Sequence, residues 1–239
     1  MIRSHHMRLA IRFALLALIL RAAVAQTQPD VAEILKKVSD TYRTVSQYEF
    51  VAEATGRETG NAPGHVLIAF KSPNKYRMES SFPGLTGGDS AFNDVVTVCD
   101  GSTVWFHLRK SNQYASIPLS EATPGAPGDL GDLRPEAVDE FAMMRYRRAT
   151  DFIEGAKFLR EETIELGGTK VDCYVVTVSR DGSKFPYTWW VDKQRYRILR
   201  EDDSVSSSVF TTIKLNEPLP DDLFTFKPPP GARKMEMHP

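Results

Sequence analysis

The stretch Val98–His107, VCDGSTVWFH, decides the fold. It sets a cysteine beside an Asp-Gly pair, with a histidine further on, and two readings compete for it. One is a Cys/His reaction centre and the other is a plain β-hairpin. Asp100-Gly101 between alternating β-branched and aromatic residues is among the strongest short-range hairpin signals. Taken as a two-residue turn, it pairs Cys99 with Ser102, Val98 with Thr103, Val96 with Trp105 and Asp94 with His107. Side chains alternate faces along a strand, so Cys99 points with Ser102, Val104 and Phe106, whereas His107 points the other way with Trp105. The rise from Ser102 to His107 is about 16 Å, and a proton transfer needs about 3 Å. The dyad fails on face and on distance. What remains is a hairpin that is apolar on both sides. Val95, Thr97, Val104 and Phe106 form one face, and Val96, Val98 and Trp105 form the other, so both require a cover.

The same period of two extends outward from the hairpin. Strands are expected from Tyr48 to Glu53, over HVLIAF (His65–Phe70) and over KYRMESSF (Lys75–Phe82), where Tyr76, Met78 and Phe82 share a side. Ser72-Pro73-Asn74 is the turn between the last two. Gln113–Ile117 is another strand. In the second half, strands are expected over Lys157–Leu166, Lys170–Ser179, Lys184–Val191, Tyr196–Glu201 and Val205–Leu215. Gly167-Gly168, Asp181-Gly182 and Asp202-Asp203 mark turns between them. LFTFKPPPGA (Leu223–Ala232) leaves the sheet as a polyproline-like run.

Two segments carry helical spacing instead. Asp30–Ser46 has Val31, Ile34, Leu35, Val38, Tyr42 and Val45 on one stripe, which must be buried against a sheet. Glu136–Arg148 follows Pro135, a residue suited to the first helical turn. Its apolar side takes Val138, Phe141, Ala142 and either Met143 or Met144. The Pro- and Gly-rich run from Pro118 to Pro135 precedes it and excludes regular structure through most of its length. Loop and helix read either as a lid or as a surface connection with a permanently packed helix. The fold class is therefore α+β, mainly antiparallel. About eleven strands form a curved, unclosed sheet covered by an N-terminal helix and a mid-chain helix.

Composition is that of a globular chain, with 41% hydrophobic and 26% charged residues, enough for one sizeable core. The first 25 residues have Arg8 and Arg12, an apolar run Phe13–Leu20 and an Ala23-Val24-Ala25 end. That pattern is a secretory signal, with Arg21 as its one irregularity, and it leaves 26–239 as a single domain. Without those residues the 30 basic and 31 acidic groups become 26 and 31, a net charge of −5. No basic stripe is present, which argues against a nucleic-acid partner. Cys99 and Cys173 in an exported chain read either as a disulfide or as two small buried hydrophobes. No HExxH, GxSxG, phosphate loop or Cys-x-x-Cys occurs, His65 and His238 are isolated, and Asp202-Asp203 suits a turn better than a calcium site. The residues point to no enzyme and to no cofactor.

FKSPNKYRME (Phe70–Glu79), VCDGSTVWFHLRKSNQY (Val98–Tyr114) and LFTFKPPPGA, in that order, resemble the LolA family of periplasmic lipoprotein carriers. WWVDKQRYRILRED (Trp189–Asp202) resembles a strand pair of the wider LolA-like and RseB-like proteins. The resemblance covers most of residues 29–235. It implies an unclosed half-barrel with a helical lid, and a hydrophobic cavity for lipid or lipoprotein acyl chains in the periplasm. It implies no catalysis. It also implies, as the other reading, an envelope sensor that acts through a membrane receptor or regulatory protein. The expected cavity lining is Tyr76, Met78, Phe82, Val96, Val98, Trp105, Phe141, Met144 and Trp189. One departure stands out. The family's turn has Arg before Pro-Asn, holding the lid by hydrogen bonds, and here that position is Ser72, which offers neither charge nor fork.

Overall fold

The computed structural model describes residues 28–56, 62–84, 93–122, 132–179 and 185–236. The expected signal, the turn at Asp181-Gly182 and the middle of the Pro/Gly loop lie outside the described residues. The chain divides into two units, Met1–Asp30 and Val31–Pro239, and every element below lies in the second. Its helices are α1 (Val31–Arg43) and α2 (Pro135–Arg147). Its strands are β1 (Gln47–Gly56), β2 (Gly64–Lys71), β3 (Lys75–Ser81), β4 (Asp94–Asp100), β5 (Thr103–Leu108), β6 (Gln113–Pro118), β7 (Lys157–Leu166), β8 (Thr169–Val178), β9 (Tyr187–Asp192), β10 (Ile198–Asp202), β11 (Ser206–Leu215) and the two-residue β12 (Arg233–Lys234). No described helix is long and apolar enough to cross a membrane.

All twelve strands form one unclosed sheet, ordered β12-β6-β5-β4-β3-β2-β1-β11-β10-β9-β8-β7. Every pairing is antiparallel except β12 with β6. Two meanders, β1–β6 and β7–β11, are joined by the β1–β11 ladder, which pairs Tyr48 with Leu215. This order puts β6 and β7 near opposite ends of the sheet. The connection between them must span ten inter-strand spacings, about 48 Å. α2 is part of that connection, and it lies across the face that also carries α1. We call this the inner face.

Cross-strand register explains the core. Tyr48, Phe70, Tyr76, Cys99, Val104 and Ile117 are directly paired in turn across six strands, and all are buried on the inner face. α1 lays Ile34, Leu35, Val38 and Tyr42 into the same cluster. The expected hairpin is present with a longer loop than a two-residue turn gives. Cys99 faces Val104 and Val98 faces Trp105. The Asp100 side chain lengthens the loop, because its Oδ1 accepts hydrogen bonds from the backbone N–H of Ser102 (2.8 Å) and Thr103 (2.9 Å). The register moves by two, so every side chain keeps its expected face. Gly101 has φ +102°, and a Cβ there would stand 3.1 Å from Asn74 Oδ1. Asn74 in turn donates from Nδ2 to the Gly101 carbonyl at 2.8 Å, tying the Ser-Pro-Asn turn to the hairpin.

β10 contains the feature that aims the site. Ile198 faces Val191 and Arg200 faces Trp190, so Leu199 is an extra residue, a β-bulge. Strict alternation from Ile198 would turn Arg200 inward and Glu201 outward. The bulge reverses this. Leu199 and Arg200 both lie outside, with Arg200 4.3 Å over the Trp190 ring, and Glu201 turns in beside Trp189. The backbone N–H of Ile198 donates to the Tyr42 hydroxyl of α1 at 3.0 Å, inside the core. Tyr42→Phe removes that acceptor and strands a buried N–H. Urea unfolding of this variant is expected to show about 1–3 kcal/mol of lost stability with an unchanged slope.

Candidate functional site

The inner face is not uniformly covered. Beside the buried row lies a second paired row, Phe50, Ile68, Met78 and Thr97, and then Ala52 paired with Val66. Ile68, Met78 and Val66 are only half-buried. Phe210 of β11 faces Ala52 and meets Phe50 edge-on at 5.7 Å. α2 passes above, and an opening of about 130 Å³ remains between Phe50, Val66, Ile68 and Phe210 below and Phe141, Ala142 and Tyr146 above. Phe141 stands at its rim with 65% of its surface exposed. An exposed phenylalanine over half-buried aliphatics is the site's main apolar feature.

An ion pair fastens the last turn of α2 beside this opening. Arg145 Nη1 donates to Glu201 Oε1 at 2.6 Å, and Trp189 Nε1 donates to Glu201 Oε2 at 2.8 Å. Burial raises the Glu201 carboxyl above the usual carboxylate range, and Arg145 and Trp189 only partly offset it. Separate contacts fasten the helix ends. Tyr76 donates to the Leu133 carbonyl at 2.7 Å just before α2. Arg147 at its other end donates to Val45 O at 2.8 Å and to Asp139 at 2.6 Å. Glu201 is a largely buried carboxylate beneath a helix, paired with Arg145. Among the described residues, no three metal-ligating side chains converge.

The structure divides the expected lining between two faces. Tyr76, Met78 and Trp189 belong to the inner face, but Tyr76 and Trp189 are fully buried. Phe82 lies just beyond β3 with its ring over Gly64, where a Cβ would come within 2.1 Å of it. On α2 it is Met143 that enters the core, Met144 is half-buried, and Phe141 points to the rim. Val96, Val98 and Trp105 lie on the opposite, outer face and do not join these residues. They are covered by the C-terminal segment, whose Phe226 stacks on Trp105 at 5.4 Å. The polyproline-like tail thus packs along the sheet as well as leaving it. The disulfide reading is also corrected. Cys99 and Cys173 are both free and buried, Cys99 in the inner core and Cys173 in the outer cluster with Val175, Trp190 and Leu199. Sequence reasoning missed the Arg145–Glu201 pair because parity alone sends Glu201 outward. It also missed Phe50, Val66, Ile68 and Phe210, whose alternation marks strands but not which part of a face stays uncovered.

No known protein-family profile matches the chain. The chain is 26% identical over 210 residues to an uncharacterized protein of Methanocaldococcus jannaschii, covering 87% of this chain and 54% of that one. It therefore spans about half the length of the curated relative it matches. Among solved structures it is similar to LprF from Mycobacterium bovis, at 12% identity and TM-score 0.47, over 84% of this chain and 96% of that one. It is similar also to a LolA superfamily protein from Nitrosomonas europaea, at 15% identity and TM-score 0.31, over 83% and 98%.

A raised carboxyl sets the sign of one pH dependence. The folded state holds the Glu201 proton more tightly than the unfolded state does, so its contribution is fully present below the unfolded pKa of about 4.3 and is lost as pH rises through the higher folded value. Thermal unfolding followed upward from pH 4 is expected to show this loss in the native chain. Glu201→Gln, which cannot ionise, should lack that component, and an identical pH profile in the two proteins would refute the assignment.

Proposed function

We propose that this protein is an exported lipid carrier or binding protein that takes an acyl chain onto the inner face beneath α2. The observation that carries the reading is the opening under Phe141, floored by half-buried Val66, Ile68 and Phe210. At about 130 Å³ it is smaller than the roughly 300–1,000 Å³ of sites that enclose small ligands. Cargo therefore enters by displacing α2 from its middle toward its last turn, where the Arg145–Glu201 ion pair ties the helix to the sheet beside the opening. Each buried CH₂ contributes about 0.8 kcal/mol, so a 16-carbon chain gains roughly 12 kcal/mol if fully covered. Lifting α2 re-exposes the apolar surface it buries, which subtracts from that gain and keeps release within reach. Periplasmic residence, lipoprotein acyl chains as cargo and an envelope receptor as partner belong to the same reading.

Purified protein is expected to bind a fluorescent fatty acid with saturation. Ile68→Asp should weaken binding at least tenfold while the chain stays folded by circular dichroism. Arg145→Met should speed uptake by freeing the last turn of α2 from the sheet. A folded protein that takes up no fatty acid, with Arg145→Met equally inert, sinks the proposal. Capture of a stable protein partner by the same inert sample would move the chain to the envelope-sensor reading.

A further inference from the structure

The outer face holds a second cavity that acyl binding does not use. Residues 221–230 cross the outer surface of β3, β4 and β5 and are fixed there at two places. Phe224 packs with Ala69 and Leu219, and Phe226 lies against Trp105 and Tyr114. Between this strap and the sheet is a half-open cavity of about 550 Å³. Its volume falls within the roughly 300–1,000 Å³ of small-molecule sites.

The lining combines hydrogen-bond donors with apolar walls. Arg77, Arg109 and Lys227 bring three cations, and Asp222 is the one carboxylate of the lining. Two further acids stand behind the arginines and are already engaged. Glu79 accepts from Arg77 through one oxygen and from Arg109 through the other, and Asp94 accepts from Arg109 Nη1 at 3.2 Å. Glu79 thereby clamps the two guanidiniums side by side. With Arg77 Nη1 donating to Leu223 O at 3.3 Å, these bonds use four of the about ten N–H donors the pair carries. Among the described residues Lys227 has no ion-pair or hydrogen-bond partner. Val96, Phe226 and Pro229 supply the apolar side. Fixed guanidinium forks beside an aromatic wall match an oxygen anion carried on an apolar body.

We propose that this cavity is a binding site for a small organic anion, with phosphate or carboxylate oxygens facing Arg77, Arg109 and Lys227 and an apolar body against Phe226. The site lies on the face opposite the opening beneath α2 and stands independently of the acyl-chain reading. The anion is either a free metabolite or the headgroup of an acidic lipid, since both present the same chemistry.

Isothermal titration with phenyl phosphate and with benzoate tests it. One-to-one binding of at least one of them is expected. Inorganic phosphate should bind at least tenfold more weakly than phenyl phosphate, and Phe226→Ala should remove that difference. Lys227→Glu, an exposed position, should weaken phenyl phosphate at least tenfold, while Ile68→Asp on the inner face should leave it unchanged. No saturable binding of either probe to folded protein overturns the proposal. So does binding that survives Lys227→Glu, or binding lost in Ile68→Asp but not in Lys227→Glu, which would place the anion on the inner face. Flotation with phosphatidylcholine vesicles containing phosphatidic acid separates the sources. Lysine-dependent vesicle binding assigns a lipid headgroup, and phenyl phosphate binding without it assigns a soluble anion.

Discussion

The ladder between β1 and β11 is the constraint from which the rest follows. Each meander could form from neighbouring segments, and this one long-range pairing joins them into a single sheet. Once it is made, β6 and β7 cannot be neighbours, and the chain between them has to cross the inner face. A helix on that crossing can bury an apolar stripe there, and α2 does so with Val138, Ala142, Met143 and Tyr146. Polar contacts fasten its two ends, to Tyr76 before it and to Glu201 and Val45 at its last turn, and apolar packing alone holds its middle, where Phe141 stands exposed at the rim.

Both candidate sites arise where one layer incompletely covers another. On the inner face, α1 and α2 bury the first cross-strand row and leave the next rows partly open. On the outer face, the C-terminal strap covers Trp105 and Ala69 but stands off the sheet between them, over Arg77 and His107. The two sites differ in chemistry for a sequence reason. Inward positions of β1–β3 are almost all apolar, whereas outward positions of β3 alternate Lys75, Arg77 and Glu79.

Much of this architecture was legible in the chain. Both helices fall within three residues of their expected ends, and the strands follow the period-two segments. Hairpin parity held even though the Asp100 side chain lengthened the turn by two residues, because a shift of two preserves faces. Local pattern fails where tertiary contact decides. The bulge at Leu199 reverses the expected faces of Arg200 and Glu201, and it is supported by Tyr42, more than 150 residues away. Parity placed Trp105 opposite Phe106 correctly but could not say which face received the helices. That was set by the crossing of α2 and by a tail whose prolines suggested an exit, while its Phe224 and Phe226 anchor it to the outer face.

The two cysteines acquire a different meaning from their separation. Burial raises both thiols, Cys173 to about 12, and each sits beneath a different layer. A buried thiol of raised pKa reacts only when its surroundings open. Cys99 lies under the inner cluster of the first meander, and Cys173 lies under the Trp190 cluster of the second. The chain therefore carries two built-in clocks, and their alkylation rates would show whether the two halves of the sheet breathe together or apart.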